Sequence, residues 1–410
     1  MKKSLLAMAA LMGVATLPAH AWRVTVDKET FADITFSTQI WGRVVGKRTT
    51  APTDHSVTDF SVNLANITAA GQVNKLVYFG INAEARPGAH TSFELRDANV
   101  GIKFMDELRV QAGLQRTPFS RIALTSSYNY IVPTQATYAG ERLSINPTSV
   151  QGFTADGKGH TSRDAGVVVW GNIGKDAMLK YYLGISDGRY DRRGGFFGGN
   201  TKDSLAYTIR VQFTPTMLGF KGETGYSLND TYLGARNVLA FGLGYRVVGA
   251  ETTGLNNNYS KDAKMFTVDM LYEQKFGDIV PNLQVGYIEA KDVAYGFANN
   301  VVQYGKATQL YAQGQLLYDQ VVGFGKPALA IRYEQNKNKD RKSFNTNTGA
   351  TTPIPGELKN SRIGVFAHYY IKGQAAKVSF GVDSVNFNSA AKGTTGKNFT
   401  DFTLHLQTQF

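Results

Sequence analysis

The chain has 410 residues, with 44 Lys and Arg against 32 Asp and Glu, 21 Tyr, 24 Phe and no Cys. The lack of thiols excludes disulfides, thiolate nucleophiles and Cys-ligated metals together. The formal charge of +12 is a statement about partners rather than fold, and it sets acidic partners ahead of basic ones.

The amino-terminus comes first. Met1-Lys2-Lys3 is basic, Leu5 to Leu17 is apolar but too short to span a bilayer, and Ala19-His20-Ala21 has the small-x-small form of a cleavage site. The expectation is a Sec signal peptide over residues 1–21, cut before Trp22, followed by one unit over residues 22–410. Its removal leaves a charge near +10, from 42 basic and 32 acidic side chains. No later stretch approaches the ~18 apolar residues of a helical span. No linker or change of composition divides a chain long enough for two or three soluble domains, and one continuous barrel accounts for that uniformity.

Alternation of apolar and polar residues marks strands, and clusters of Gly, Asn, Asp and Lys mark loops. In chain order the strands fall at Asp33–Val45, Val62–Thr68, Val73–Ala85, Phe93–Phe104 with a register break near Leu95, Leu108–Thr117, Ala165–Gly171, Met178–Asp187 and Leu205–Phe213. They continue at Val238–Val247, Met265–Lys275, Asn282–Lys291, Thr308–Tyr318, Ala328–Gln335, Arg362–Lys372, Lys377–Phe387 and Phe399–Phe410. The last alternates from Phe402 to the aromatic terminus, Phe410, as suits the closing strand of a membrane barrel with an aromatic girdle. Segments near ten residues match a tilted strand crossing the hydrocarbon better than the short strands of a sandwich. The fold class is therefore an all-β, transmembrane antiparallel barrel of about 16 strands. Phe220–Leu228 also alternates weakly. Counting it would make the strand number odd and place tight turns beside long loops, so Pro215–Arg236 reads as an excursion on the periplasmic side.

If the apolar side faces lipid, the other side faces a lumen. Arg109, Lys180, Arg210, Arg246 and Arg332 each sit on that side, and Arg43, Lys103, Arg362, Lys372 and Lys377 join them nearer the strand ends. The long loop, the excursion from Pro118 to about His160, carries Arg116, Arg121 and Arg142. Its apolar content (Ile122, Leu124, Tyr128, Tyr130, Ile131, Val132) favours packing inside the barrel or against a neighbouring subunit. A row of weak cationic sites attracts anions and lets them leave again. Asp97, Asp269, Glu273, Glu334 and Asp383 also point inward, so pairing that merely fills the interior is the competing reading. His55, His90, His160, His368 and His405 have no metal-ligand spacing, no phosphate loop lies between a strand and a helix, and no catalytic group stands out. No cofactor and no nucleic-acid partner is expected.

LRDANVGIKF (Leu95 to Phe104) and LRVQAGLQRTPFSRIALTSS (Leu108 to Ser127) resemble the phosphate-selective porin O and P family. RDAGVVVWG, LKYYLGISDG, YTIRVQFTP and the carboxy-terminal SRIGVFAHYYIKGQAAKVSFGVD continue the match in order. The most specific part is the loop block Thr117, Pro118, Phe119, Ser120, Leu124, Thr125, Ser126 and Ser127. Gln115-Arg116 departs from the Phe-Lys common there, and so does the segment after Ser127. The resemblance implies a homotrimeric, 16-stranded porin of the Gram-negative outer membrane, in contact with lipid and lipopolysaccharide, whose third loop folds into a lumen carrying an arginine ladder. The function expected is passive diffusion of small anions. A channel subunit of a larger complex, or a plugged barrel with an enzymatic or adhesive role, remains the alternative.

Overall fold

A computed structural model describes residues 22–47, 55–85, 93–133, 163–187, 205–249, 262–298, 301–345, 348–389 and 397–410. The signal-peptide expectation and Arg142 lie outside them. Trp22–Thr25 (β1) is a short strand laid along the start of Phe31–Val45 (β2). The wall continues through Val57–Gln72 (β3), Val77–Ala85 (β4), Phe93–Lys103 (β5), Arg109–Arg116 (β6), Arg163–Ile173 (β7), Leu179–Ser186 (β8) and Ala206–Phe213 (β9). It is completed by Val238–Val248 (β10), Ala263–Glu273 (β11), Ile279–Ala298 (β12), Val301–Tyr318 (β13), Lys326–Asn345 (β14), Leu358–Lys372 (β16), Ala376–Phe387 (β17) and Phe399–Gln409 (β18), with Thr351–Pro353 (β15) a short addition beside β14. Every strand pairs antiparallel with the next, and β18 pairs with β2 from Asp401 opposite Val45 to Gln409 opposite Ser37. The result is a closed barrel of 16 strands with no free edge, as a hydrocarbon surrounding requires.

The period of two has the expected cause. In β9, Tyr207, Ile209, Val211 and Phe213 are exposed on the outside while Ala206, Thr208, Arg210 and Gln212 are buried. β10 repeats the pattern with Phe241, Leu243 and Tyr245 outside and Arg246 within. Phe36 and Phe410 stack at 5.5 Å on one rim and exchange main-chain hydrogen bonds, so the aromatic terminus seals the barrel. The register break near Leu95 is a bulge: Asn82 lies opposite Asp97 and Ala83 opposite Leu95, so the side chain of Arg96 is taken up inside.

Strand length departs from the sequence reading in one direction. β3 has 16 residues rather than a short core near Val62–Thr68, and β12, β13 and β14 reach 20, 18 and 20. The added residues stand beyond the hydrocarbon, where both faces are wet and alternation has no cause. Two inward assignments change, and a third stays inward but moves to a strand end. Lys103 and Lys372 are exposed at the strand ends, Lys103 pairing with Asp106. Arg109 is not mid-strand but the first residue of β6, held by Asp106 at 2.7 Å and lying over the Trp170 ring.

Short connections at 73–76, 104–108, 174–178, 274–278, 319–325 and 373–375 share one rim. The connection from β9 to β10, residues 214–237, starts from that same rim and contains no spanning strand. It does not extend outward as an excursion. Glu223, Leu228, Asp230 and Thr231 are buried, and its partners are inward side chains of the wall. The reason is local: the segment carries Glu223 and Asp230 into a basic interior, and Leu228 into the cluster of Leu124, Val168, Trp170 and Tyr182.

Candidate functional site

Two segments enter the barrel from opposite rims and meet. The outer one follows β6. Pro118 and Phe119 turn it inward, and Ser120 caps the single-turn helix Arg121–Leu124 (α1), its Oγ accepting from the N–H of Ala123 at 3.2 Å. The hydroxyl of Thr125 donates to the main-chain oxygen of Arg121 at 3.0 Å, and the oxygen of Ser126 accepts from Asn129, tightening the next turn. The hydroxyls of Ser120 and Thr125 thus fix the turns of this loop block. Residues of β2, β17 and β18 hold the far limb: Gln39 donates to the oxygen of Ser127, Gln407 to that of Tyr128 and Lys377 to that of Tyr130.

The inner segment is fixed in the same way. Lys180 donates to the oxygen of Gly225, Asn172 to that of Thr224, and Tyr182 to that of Tyr226. The two segments join where Thr125 and Leu228 form a parallel bridge and Leu228 donates to Leu124 at 3.2 Å. The side chain of Tyr226 donates to the oxygen of Arg116 at 2.6 Å.

At the junction lies a four-membered ion network. Arg121 pairs with Glu223; Arg210 grips Asp269 through both terminal nitrogens at 2.7 Å; and Asp269 also accepts from the N–H of Arg121 at 3.1 Å. Sequence makes room for it. A Cβ at Gly242 would overlap Arg210 and Asp269, and one at Gly244 would overlap the main-chain oxygen of Phe119. Burial works against the charge of Arg121, but Glu223 more than reverses this and raises its affinity for the proton. Burial likewise works against the Glu223 carboxylate, yet Arg121 holds it down at about 2.

Most of the other expected bases are paired too. Arg246 bonds Asp164 at 2.7 Å; Arg332 and Arg362 share Asp383; and Arg43 pairs with Asp401. Arg163, which the sequence did not single out, pairs with Asp97 at 2.9 Å. Arg210 and Arg121 are fully buried and Lys180, Arg246 and Arg332 nearly so. Three inward cations differ. Arg116, Lys180 and Lys377 bond main-chain oxygens of the two inward segments, at Ala123 and Thr125, at Gly225 and at Tyr130, with no carboxylate against them. Sequence reasoning put Lys180 forward, placed Arg116 in the loop and Lys377 near a strand end, and assigned no role to Glu223 or Asp230. The weak alternation of Phe220–Leu228 was their only signal. Among the described residues no group of His, Asp and Glu could hold a metal ion.

Asp230 makes no direct ion pair among the described residues. Gln313 donates to its carboxylate at 3.1 Å, and Gln284 and Asn282 donate to its main-chain oxygen. Burial pushes its carboxyl up to about 6. An acid raised in the folded state keeps a proton there that the unfolded chain has released, so its stabilising effect is complete below the ordinary carboxyl range and lost as pH rises through about 6. Wild-type protein is therefore expected to lose stability between about pH 4 and pH 6, on the order of 3 kcal/mol from this group. Asp230→Asn should lack that part of the slope in urea unfolding, and an unchanged slope would refute the assignment.

A closed 16-stranded barrel with an apolar outside and a loop turned inward defines a porin, a channel of bacterial outer membranes. The chain belongs to the phosphate-selective porin O and P family, whose profile matches residues 48–277. An uncharacterized protein of Aquifex aeolicus (strain VF5) is 25% identical over 332 residues, covering 78% of this chain and 69% of its own length. Similar solved folds include Pseudomonas putida OprB in a high-pH structure, with a TM-score of 0.55 at 10% identity over 92% of this chain and 94% of that one. Salmonella typhi OmpF in complex with daunomycin gives 0.54 at 15% identity over 95% and 100%. An anion-selective porin from Comamonas acidovorans gives 0.53 at 11% over 92% and 99%. These structural likenesses concern the fold.

Proposed function

We propose that this outer-membrane channel passes small anions, phosphate-like or other inorganic and organic anions, by passive diffusion. The observation that carries the reading is the inequality of charge inside the barrel. Most inward arginines share their charge with carboxylates, whereas Arg116, Lys180 and Lys377 meet only carbonyl and amide oxygens. Moderate cationic sites, each partly satisfied by dipoles, suit an ion that must enter and leave. The family's description as phosphate-selective agrees with it. Arg109, Arg121, Arg142, Arg210, Arg246 and Arg332 belong to the proposal as the surrounding basic field, and the block Pro118, Phe119, Ser120, Thr125 and Ser126 as the former of the constriction. Export by a signal peptide ending at Ala21, contact with lipopolysaccharide and assembly as a homotrimer complete it.

The test is the reversal potential of single channels in a potassium chloride gradient. Wild type is expected to favour chloride. Lys180→Gln and Lys377→Gln keep a donor for Gly225 and Tyr130 and remove the charge. Each should lower the anion-to-cation permeability ratio about twofold, the effect of roughly 0.5 kcal/mol of electrostatic free energy. A cation-selective wild type would end the reading. The competing one, a plugged barrel, is favoured by the dense packing of both inward segments and predicts no steady conductance at all.

A further inference from the structure

The far limb of the outer segment, Ser127 to Val132, covers a row of side chains that the ion network does not use. Across the register, Trp41 of β2 lies opposite His405 of β18, His405 opposite Ser379 of β17, and Ser379 opposite His368 of β16. The four are buried and on the inner face. Trp41 and His405 meet edge to face at 6.4 Å, and His368 and Lys377 both lie within electrostatic reach of His405. His368 is engaged through Nδ1 with the Ser379 hydroxyl at 2.8 Å. The indole Nε1 of Trp41 and both ring nitrogens of His405 have no hydrogen-bond partner. Buried polar nitrogens are nearly always paired, and with Nε2 of His368 four in one row lack a partner and call for an explanation.

We propose that Trp41 and His405, with Lys377 beside them, form a binding site for a small oxyanion against this wall of the lumen. The donor set selects the ligand class. An indole nitrogen can only donate, a protonated lysine is cationic and only donates, and a protonated imidazole donates from both nitrogens. An acceptor-rich anion satisfies all three, whereas a metal ion would face the lysine charge and an indole that cannot ligate it.

Binding should carry a proton, because an anion against His405 favours its charged form. The charged and titratable groups around it are Arg43 on β2, held by Asp401 of β18; Lys377 on β17; His368 and Tyr370 on β16; and Tyr128 and Tyr130 on the covering limb. Asp230 of the inner segment lies within reach of Lys377. This rests on the proposed anion passage only for how the ion arrives.

The experiment is calorimetric titration of the detergent-solubilised full chain with inorganic sulfate, which keeps its charge across the range, and then with inorganic phosphate. Proton uptake is read from buffers of different ionisation enthalpy. Sulfate is expected to bind with proton uptake and to tighten about tenfold from about pH 8 to about pH 5.5. His405→Gln should abolish the uptake, and Trp41→Phe should weaken binding about three- to tenfold while retaining it. Absence of sulfate binding, which would leave ordered water as the partner of these nitrogens, overturns the site. So does binding without proton uptake in wild type, a result that needs no variant to fold. The outcomes separate from those of the passage: a chloride-selective channel without His405-linked binding sinks the site alone, and a cation-selective channel with it sinks the passage alone.

Discussion

Asp269→Ala is expected to lower the stability of the barrel by about 3–5 kcal/mol, the cost of removing one member of a buried ion pair. Asp269 receives two hydrogen bonds from Arg210 at 2.7 Å and one from the main chain of Arg121 at 3.1 Å, and these groups have almost no access to solvent. Its loss leaves the Arg210 guanidinium with only the oxygen of Phe119, at 3.3 Å, as acceptor. Asp269→Asn keeps an acceptor and should cost less. Urea unfolding in lipid vesicles, followed by tryptophan fluorescence, measures both. An Asp269→Ala barrel within about 1 kcal/mol of wild type would mean that water already reaches Arg210.

The second large effect is on conduction. The inner segment leaves and returns through a narrow neck, where Lys221 donates to the oxygen of Asn237 at 2.9 Å and Arg236 to that of Gly222 at 2.8 Å. Residues 223–235 can therefore be replaced by an Asn-Gly turn without stretching β9 or β10. The wall hydrogen bonds are untouched, so the barrel should still form. Single-channel conductance should rise roughly two- to fivefold as the freed cross-section fills with water. Anion preference should rise as well, since the excision removes Glu223 and Asp230 and uncovers Lys180 and Arg121. Unchanged conductance would show that ions pass by another part of the lumen, away from the inner segment.

Legibility followed the physical cause of each signal. Wherever a strand has lipid on one side and a polar interior on the other, every second residue must be apolar, and β9, β10 and β18 could be read almost residue by residue. The bulge near Leu95 was visible because it shifts that alternation by one position. Where β3 and β12 to β14 rise beyond the hydrocarbon, neither face selects for apolar residues, so nothing in the sequence marked their ends. The inward arginines were equally readable, since Arg210 between Ile209 and Val211 can face only one way. Their partners were not. Asp269 pairs with Arg210 from two strands away, and Glu223 reaches Arg121 across 102 positions of sequence. Each such pair is made by barrel closure and loop packing, which no local pattern records.

The sequence by itself determined the barrel, its closing strand and its greasy outer face, because those follow from the solvent each residue meets. Only the tertiary structure decided which positive charges remain without a carboxylate, and that the connection between β9 and β10 turns back into the lumen to meet the outer loop. Those outcomes depend on distances between segments remote in sequence, and on a Leu228 that gains more from a shared apolar cluster than from exposure at the rim.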